Sequence, residues 1–143
     1  MGNHCLLVAD AAHARIYTTD AAIRELELLR ELEHPLSGAY ARDLVTDQEG
    51  MGWESSRDLG KEEAARFARK IAQGLEDDFE AHRFEHLLIA APPTFLGLLR
   101  LALDERVRRT VVAEFNHDWI HTPESRLGAV VRAGMEKEAA PPA

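Results

Sequence analysis

Four aspartates are placed where a divalent metal could be gathered. Asp10 closes a short apolar run, Asp43 and Asp47 lie in a stretch without periodicity, and Asp118 comes late in the chain. Metal-dependent hydrolysis needs several carboxylates on one or two cations, because the ion must be held by oxygen ligands while it polarises the bond to be cut. A metal-dependent hydrolase using Asp10, Asp43 and Asp47 is therefore one reading. Loop aspartates are also ordinary turn formers and solvated charges, and spacing alone brings none of the four together. His117, Asp118 and His121 have the spacing of half a zinc site, but neither a cysteine cluster nor an HExxH motif accompanies them. Polar roles at a strand end are expected for them, and no metal site or cofactor is assigned. Cys5 sits beside His4 in an apolar strand, where alternation sends neighbouring side chains to opposite faces. It is expected in the core rather than as a nucleophile. Ser37 and Ser55-Ser56 lack a glycine elbow, and no phosphate-cradling GxxxxGK[ST] is present.

Basic residues offer a different chemistry. Arg66, Arg69 and Lys70, with Lys61 just upstream, are spaced to form a positive patch on one helix. Such a patch can contact phosphates. It can equally be a solvated face paired with Glu62, Glu63 and Glu76.

The elements that must carry these residues are legible from periodicity. His4 to Ala9 and Arg15 to Thr19 read as two strands joined by a short turn after Asp10. Ile23 to Glu33 alternates at Leu26, Leu28 and Leu32 and is read as a third strand, since two strands need a partner. From His34 to Gly60 periodicity disappears, and Pro35 and four glycines interrupt the chain, so a long loop is expected over 34–60. Ala64, Phe67, Ala68, Ile71, Leu75 and Phe79 then recur at three- and four-residue steps, which predicts an amphipathic helix from Lys61 to His82. Leu87 to Ala91 is wholly apolar and ends at Pro92-Pro93, as a strand buried on both faces would. Thr94 is positioned to cap a helix through Leu103, with a possible continuation to Arg109. Val111 to Phe115 forms another strand, and strand-helix-strand implies a right-handed crossover. Pro123 opens a last helix to about Arg132. The domain is thus expected over 1–132, with a flexible tail over 133–143.

Composition narrows the function classes. The 143 residues are 45% hydrophobic and 29% charged, the balance of one folded domain. Their single cysteine excludes an intrachain disulfide. No apolar run approaches the ~20 residues of a membrane span, and no charged segment precedes one, so no membrane partner and a cytoplasmic location are expected. Lysine and arginine number 17 against 25 acidic residues, a net charge of -8. The whole protein repels polyanions, which argues against a general DNA binder and confines any nucleic-acid contact to a local patch.

Gly60-Lys61-Glu62-Glu63-Ala64-Ala65-Arg66-Phe67-Ala68-Arg69 resembles a segment of eukaryotic and archaeal class-1 peptide release factors, in which a Gly-Gly-Gln loop runs into a helix opening with Arg-Phe-Ala-Arg. Leu7-Val8-Ala9-Asp10 with Ala14-Arg15-Ile16-Tyr17 resembles the first hairpin of that middle domain, and Leu87-Leu88-Ile89-Ala90 with Phe95 its buried strand and helix. Closer still is a bacterial family of small release-factor-like proteins, the host attachment proteins. The chain is similar to it at His34-Pro35, Asp43 to Asp47 with Gly50, Ala65 to Arg69, Ala91-Pro92-Pro93, Phe95 to Arg100, and Asp118 with His121 and Pro123.

The resemblance implies a single α/β domain with a mixed sheet of about five strands, an N-terminal hairpin and flanking helices. It implies a translation-associated factor that binds the ribosome or ribosomal RNA, with Arg66, Arg69, Lys70 and Lys61 as contacts and Asp43, Asp47 and Glu62 as loop residues. Where the release factors carry Gly-Gly-Gln, this chain has Gly60, Lys61 and Glu62. A charged glutamate replaces a neutral amide, and a Cβ at Lys61 restricts the backbone. A non-catalytic role is therefore expected. A protein-binding adaptor that affects attachment indirectly is the further alternative.

Overall fold

A computed structural model describes residues 3–34 and 53–137. Among the described residues, five strands and four helices follow in the order β1 (His4–Ala9), β2 (His13–Thr19), β3 (Glu27–Glu33), α1 (Trp53–Glu80), β4 (His86–Ala90), α2 (Pro93–Ala102), α3 (Glu105–Arg108), β5 (Val111–Phe115) and α4 (Glu124–Lys137). The strands form one mixed sheet in the order β3-β2-β1-β4-β5. The hairpin pairs antiparallel from His4 opposite Thr19 to Ala9 opposite Ala14, and β3 continues the antiparallel half. β4 lies parallel to β1, with Leu6 opposite Leu88, and β5 is parallel to β4.

Alternation along β1 divides the core in two. Cys5, Leu7 and Ala9 face a layer containing Phe67, Ile71 and Leu75 of α1 with Phe95 and Leu99 of α2. Leu6 and Val8 face Phe115, Ile120 and, from α4, Leu127 and Val131. A register shift between Leu87 and Leu88 lets Ala113 and Phe115 face this second core while Val111 faces the first. Helices therefore cover both faces of the sheet, which is why β4 is an unbroken apolar run.

The element boundaries depart from the sequence expectation at several places. Of the loop expected over 34–60, positions 53–60 are helical, and 35–52 lie outside the described residues. The apolar stripe starts only at Ala64, so the first turns of α1 carried no periodic signal. Gly60 alone costs a helix about 1 kcal/mol relative to alanine, too little to end it. At its other end α1 stops at Glu80, because His82 adopts a left-handed conformation with φ 62. The N–H groups of His82 and Arg83 then close the helix onto Phe79 and Asp78 carbonyls.

Thr94 does not cap α2. The extended residue before the helix is Pro92, Pro93 takes the first helical position, and no side chain caps the end. The continuation to Arg109 is broken at Leu103, which is extended, and a separate short helix restarts under Asp104, whose carboxylate accepts from the Arg106 N–H. Finally, 133–137 belong to α4 rather than to a tail, and 138–143 lie outside the described residues. Gly134 lets this last part of the helix lie close to the sheet side, since a Cβ there would stand 3.0 Å from the Phe115 and Trp119 rings and would push against both.

Phe67 is completely buried and contacts the Phe95 ring at a centroid distance of 6.0 Å. Phe67→Ala should lower unfolding free energy by about 3–5 kcal/mol through cavity formation, read as a fall in the urea midpoint. Cys5 is equally buried, and burial pushes its thiol well above the ordinary range, with the nearby Asp78 charge adding to the effect. It should therefore resist dithiobis(nitrobenzoate) in the folded protein and react fully in urea; rapid reaction without denaturant would contradict its place in the core.

Candidate functional site

The carboxyl ends of the parallel strands carry the first group of candidate residues. Asp10 follows β1, and its Oδ1 accepts hydrogen bonds from the N–H groups of Ala12 at 2.9 Å and His13 at 2.7 Å. This is the turn-forming role expected of a loop aspartate. Its other oxygen, Oδ2, lies 3.9 Å from His121 Nε2. Asp118 joins them, so that one ligand atom from each of Asp10, Asp118 and His121 lies within 4.8 Å of the others.

The segment after β5 reaches Asp10 because it is anchored beneath. Trp119 packs on Phe115 at 5.1 Å, Ile120 is buried in the second core, and Arg15 Nη1 donates to the Ile120 carbonyl at 3.3 Å. His117 stacks on Trp119 at 5.0 Å and is not one of the converging three. The aspartates proposed to act with Asp10, namely Asp43 and Asp47, lie outside the described residues, whereas the carboxylate that meets Asp10 is Asp118. Sequence spacing could not reveal this, because the contact joins the ends of strands that are not neighbours.

Helix α1 carries the second group. Lys61, Arg66, Arg69 and Lys70 are all exposed. Arg66 lies 3.7 Å from Glu62 and 3.6 Å from Glu63, as an ordinary solvated helix face would place it. Arg69 and Lys70 form no ion pair among the described residues. Gly60, Lys61 and Glu62 are within the helix, so Glu62 is a helical surface residue rather than a loop residue. A backbone already committed to helical hydrogen bonds cannot also supply a flexible loop tip.

Two features escaped sequence reasoning. His34 Nε2 and Glu63 Oε1 are 2.8 Å apart, and the His34 ring stacks on Phe67 at 5.4 Å. This fastens the end of β3 to α1 across 29 positions of sequence, a span no local pattern could bridge. Asp78 is wholly buried and accepts from Arg30 at 2.8 Å and Arg83 at 2.7 Å. A signal for it did exist, since Ile71, Leu75 and Asp78 share one helical face and an acid in an apolar stripe must find a partner.

His4 and Cys5 do not form a nucleophile and base. The His4 ring instead lies 4.7 Å from that of His86, its neighbour on β4, and burial lowers its affinity for a proton, as does His86.

Comparison with known proteins agrees with the fold. A model of the family described as "Protein required for attachment to host cells" matches residues 5–131. No curated protein matches the chain. Among solved structures, a crystal structure of an archaeal translation termination factor, aRF1, superposes with a TM-score of 0.50 at 15% sequence identity. The match covers 94% of this chain but 39% of that one, so the chain spans well under half the length of this structural relative. At such identity the likeness establishes the α/β release-factor fold alone. The family match extends over nearly all of the strands and helices described above, and the chain belongs to the family of proteins required for attachment to host cells.

Proposed function

We propose that the protein is a non-catalytic, cytoplasmic binding factor of the translation machinery, with the ribosome or ribosomal RNA as its partner. The observation that carries this reading is the pair of exposed cations Arg69 and Lys70, which lack an ion-pair partner among the described residues and sit on the helix carrying the Arg-Phe-Ala-Arg segment. The similar structure of a translation termination factor supports the same direction. With a net charge of -8, the protein gains no general attraction to phosphate, and only a local cluster of cations can release counterions and offset the repulsion. Lys61 and Arg66 extend the patch. Arg66 contributes less, since Glu62 and Glu63 already compete for it.

Catalysis of peptide release is not part of this reading. The positions that the sequence resemblance sets against the Gly-Gly-Gln loop are Gly60, Lys61 and Glu62, which are helical and present a carboxylate in place of an amide. Peptidyl-tRNA-loaded ribosomes should release no peptide when the protein is added. Binding should be weak and should fall steeply with salt, as phosphate contacts do. Changing Arg69 and Lys70 together to glutamate should abolish co-sedimentation with ribosomes at low salt while leaving the thermal midpoint within a degree or so, because exposed charges contribute little to folding. Undiminished co-sedimentation of that folded variant would make the patch an ordinary solvated face. Absence of co-sedimentation by the parent at any salt would shift the assignment to an adaptor acting through protein contacts.

A further inference from the structure

We propose that Asp10, Asp118 and His121 form a binding site for a first-row divalent transition-metal ion. This inference is independent of the ribosomal reading and uses none of its residues. The donor set mixes two carboxylates with an imidazole, and all three come from the carboxyl ends of β1 and β5. That is the end of an open α/β sheet at which ligands characteristically bind.

Several features make the cluster more than surface acidity. Asp118 makes no hydrogen bond or ion pair among the described residues, and no lysine or arginine there neutralises either carboxylate. Among the described residues, the basic side chains within 4 Å of the Asp10 carboxylate are imidazoles, with His13 Nδ1 at 3.8 Å and His121 Nε2 at 3.9 Å. Its Oδ1 is fixed by two backbone N–H groups, which orients Oδ2 toward His121 in the way an outer-shell contact orients a metal ligand. Ligands bound to one ion at about 2.0–2.2 Å stand roughly 3–4 Å apart. The ligand atoms, all within 4.8 Å of one another, close to that by rotation of side chains, and the His121 side chain is 75% exposed and free to turn.

The chemistry of the donors selects the ion. An imidazole nitrogen disfavours magnesium and calcium, which take oxygen ligands, whereas zinc, cobalt and manganese accept nitrogen together with carboxylate oxygen. Three protein ligands leave positions for water or an external donor. An open groove of about 560 Å³, lined by His121 with Arg15, Tyr17, Leu28, Glu31 and Glu124, adjoins the cluster on its His121 side.

The test is isothermal titration of the full chain, freed of metal by a chelator, with zinc, cobalt and manganese chlorides in turn and magnesium chloride for comparison. The parent should bind zinc or cobalt saturably at one ion per chain and magnesium much more weakly. Asp118→Asn and His121→Gln should each weaken zinc binding at least about tenfold, the usual effect of disturbing a metal site. Both residues are exposed, so far-ultraviolet circular dichroism should show the fold retained. His4→Gln alters the histidine pair at the opposite, amino end of the central strands and should leave the isotherm unchanged. No heat of binding with any of the three transition metals up to millimolar concentration overturns the proposal. So does a zinc isotherm that both site variants preserve, or one that only His4→Gln abolishes. Ribosome co-sedimentation by the two site variants should match the parent, which separates failure of this proposal from failure of the ribosomal reading.

Discussion

Burial of β1 on both faces is the constraint from which the rest of the architecture follows. Residues Cys5 to Ala9 are at most 1% exposed. Each fully buried leucine or valine contributes about 1.5–3 kcal/mol by removal from water, and the strand alternates such residues toward two separate layers. A strand of that kind cannot lie at an edge. It takes β2 on one side and β4 on the other, and it requires apolar helical cover above and below. The antiparallel hairpin supplies one neighbour cheaply, because its connection is short. The parallel neighbour needs a crossover, and α1 is that crossover.

The long helix is held by polar contacts as well as by its apolar stripe. Asp78 is a carboxylate with no exposed surface, and leaving it unpaired would cost several kcal/mol. Arg30 reaches it from β3, and Arg83 reaches it from just beyond the end of α1. Gly74 leaves room for the first contact, since a Cβ there would lie 3.2 Å from Arg30 Cδ and 3.3 Å from its Nε and the arginine would have to shift slightly. At the other end of β3, His34 meets Glu63 and stacks on Phe67. Two contacts therefore fix an edge strand, itself only partly buried, to the helix that crosses the sheet. The turn before β3 is also constrained. Ile23 takes a φ of 53, unusual for a β-branched residue, while its side chain is buried in the second core and its carbonyl accepts from Arg132 of α4.

These constraints place two chemically different surfaces on one small domain. The outward face of α1 presents exposed cations on a net negative protein, and the proposed phosphate contact rests on them. The carboxyl ends of β1 and β5 present oxygen and imidazole donors in close proximity, which suits a cation. Cys5 is buried on the central strand β1, where its thiol stays protonated.

The sequence by itself determined whatever depends on local periodicity. The apolar runs at Leu6 to Ala9 and Leu87 to Ala91 marked the central strands, and the three- and four-residue spacing from Ala64 to Phe79 fixed the face that α1 buries. Family resemblance was legible in part for the same reason, since Leu7 to Ala9, Arg66 to Arg69 and Leu87 to Ala90 lie on those elements. Helix ends were less legible, because Gly60 and His82 exert small local effects that the surrounding packing overrides at one end and exploits at the other. Contacts between distant parts of the chain were decided only by the tertiary structure. Asp10 and Asp118 meet because Trp119 and Ile120 anchor the segment after β5, and Asp78 meets Arg30, 48 positions away, because α1 crosses β3 there. Such pairings depend on where strands and helices stack in three dimensions, and one-dimensional spacing carries no measure of that distance.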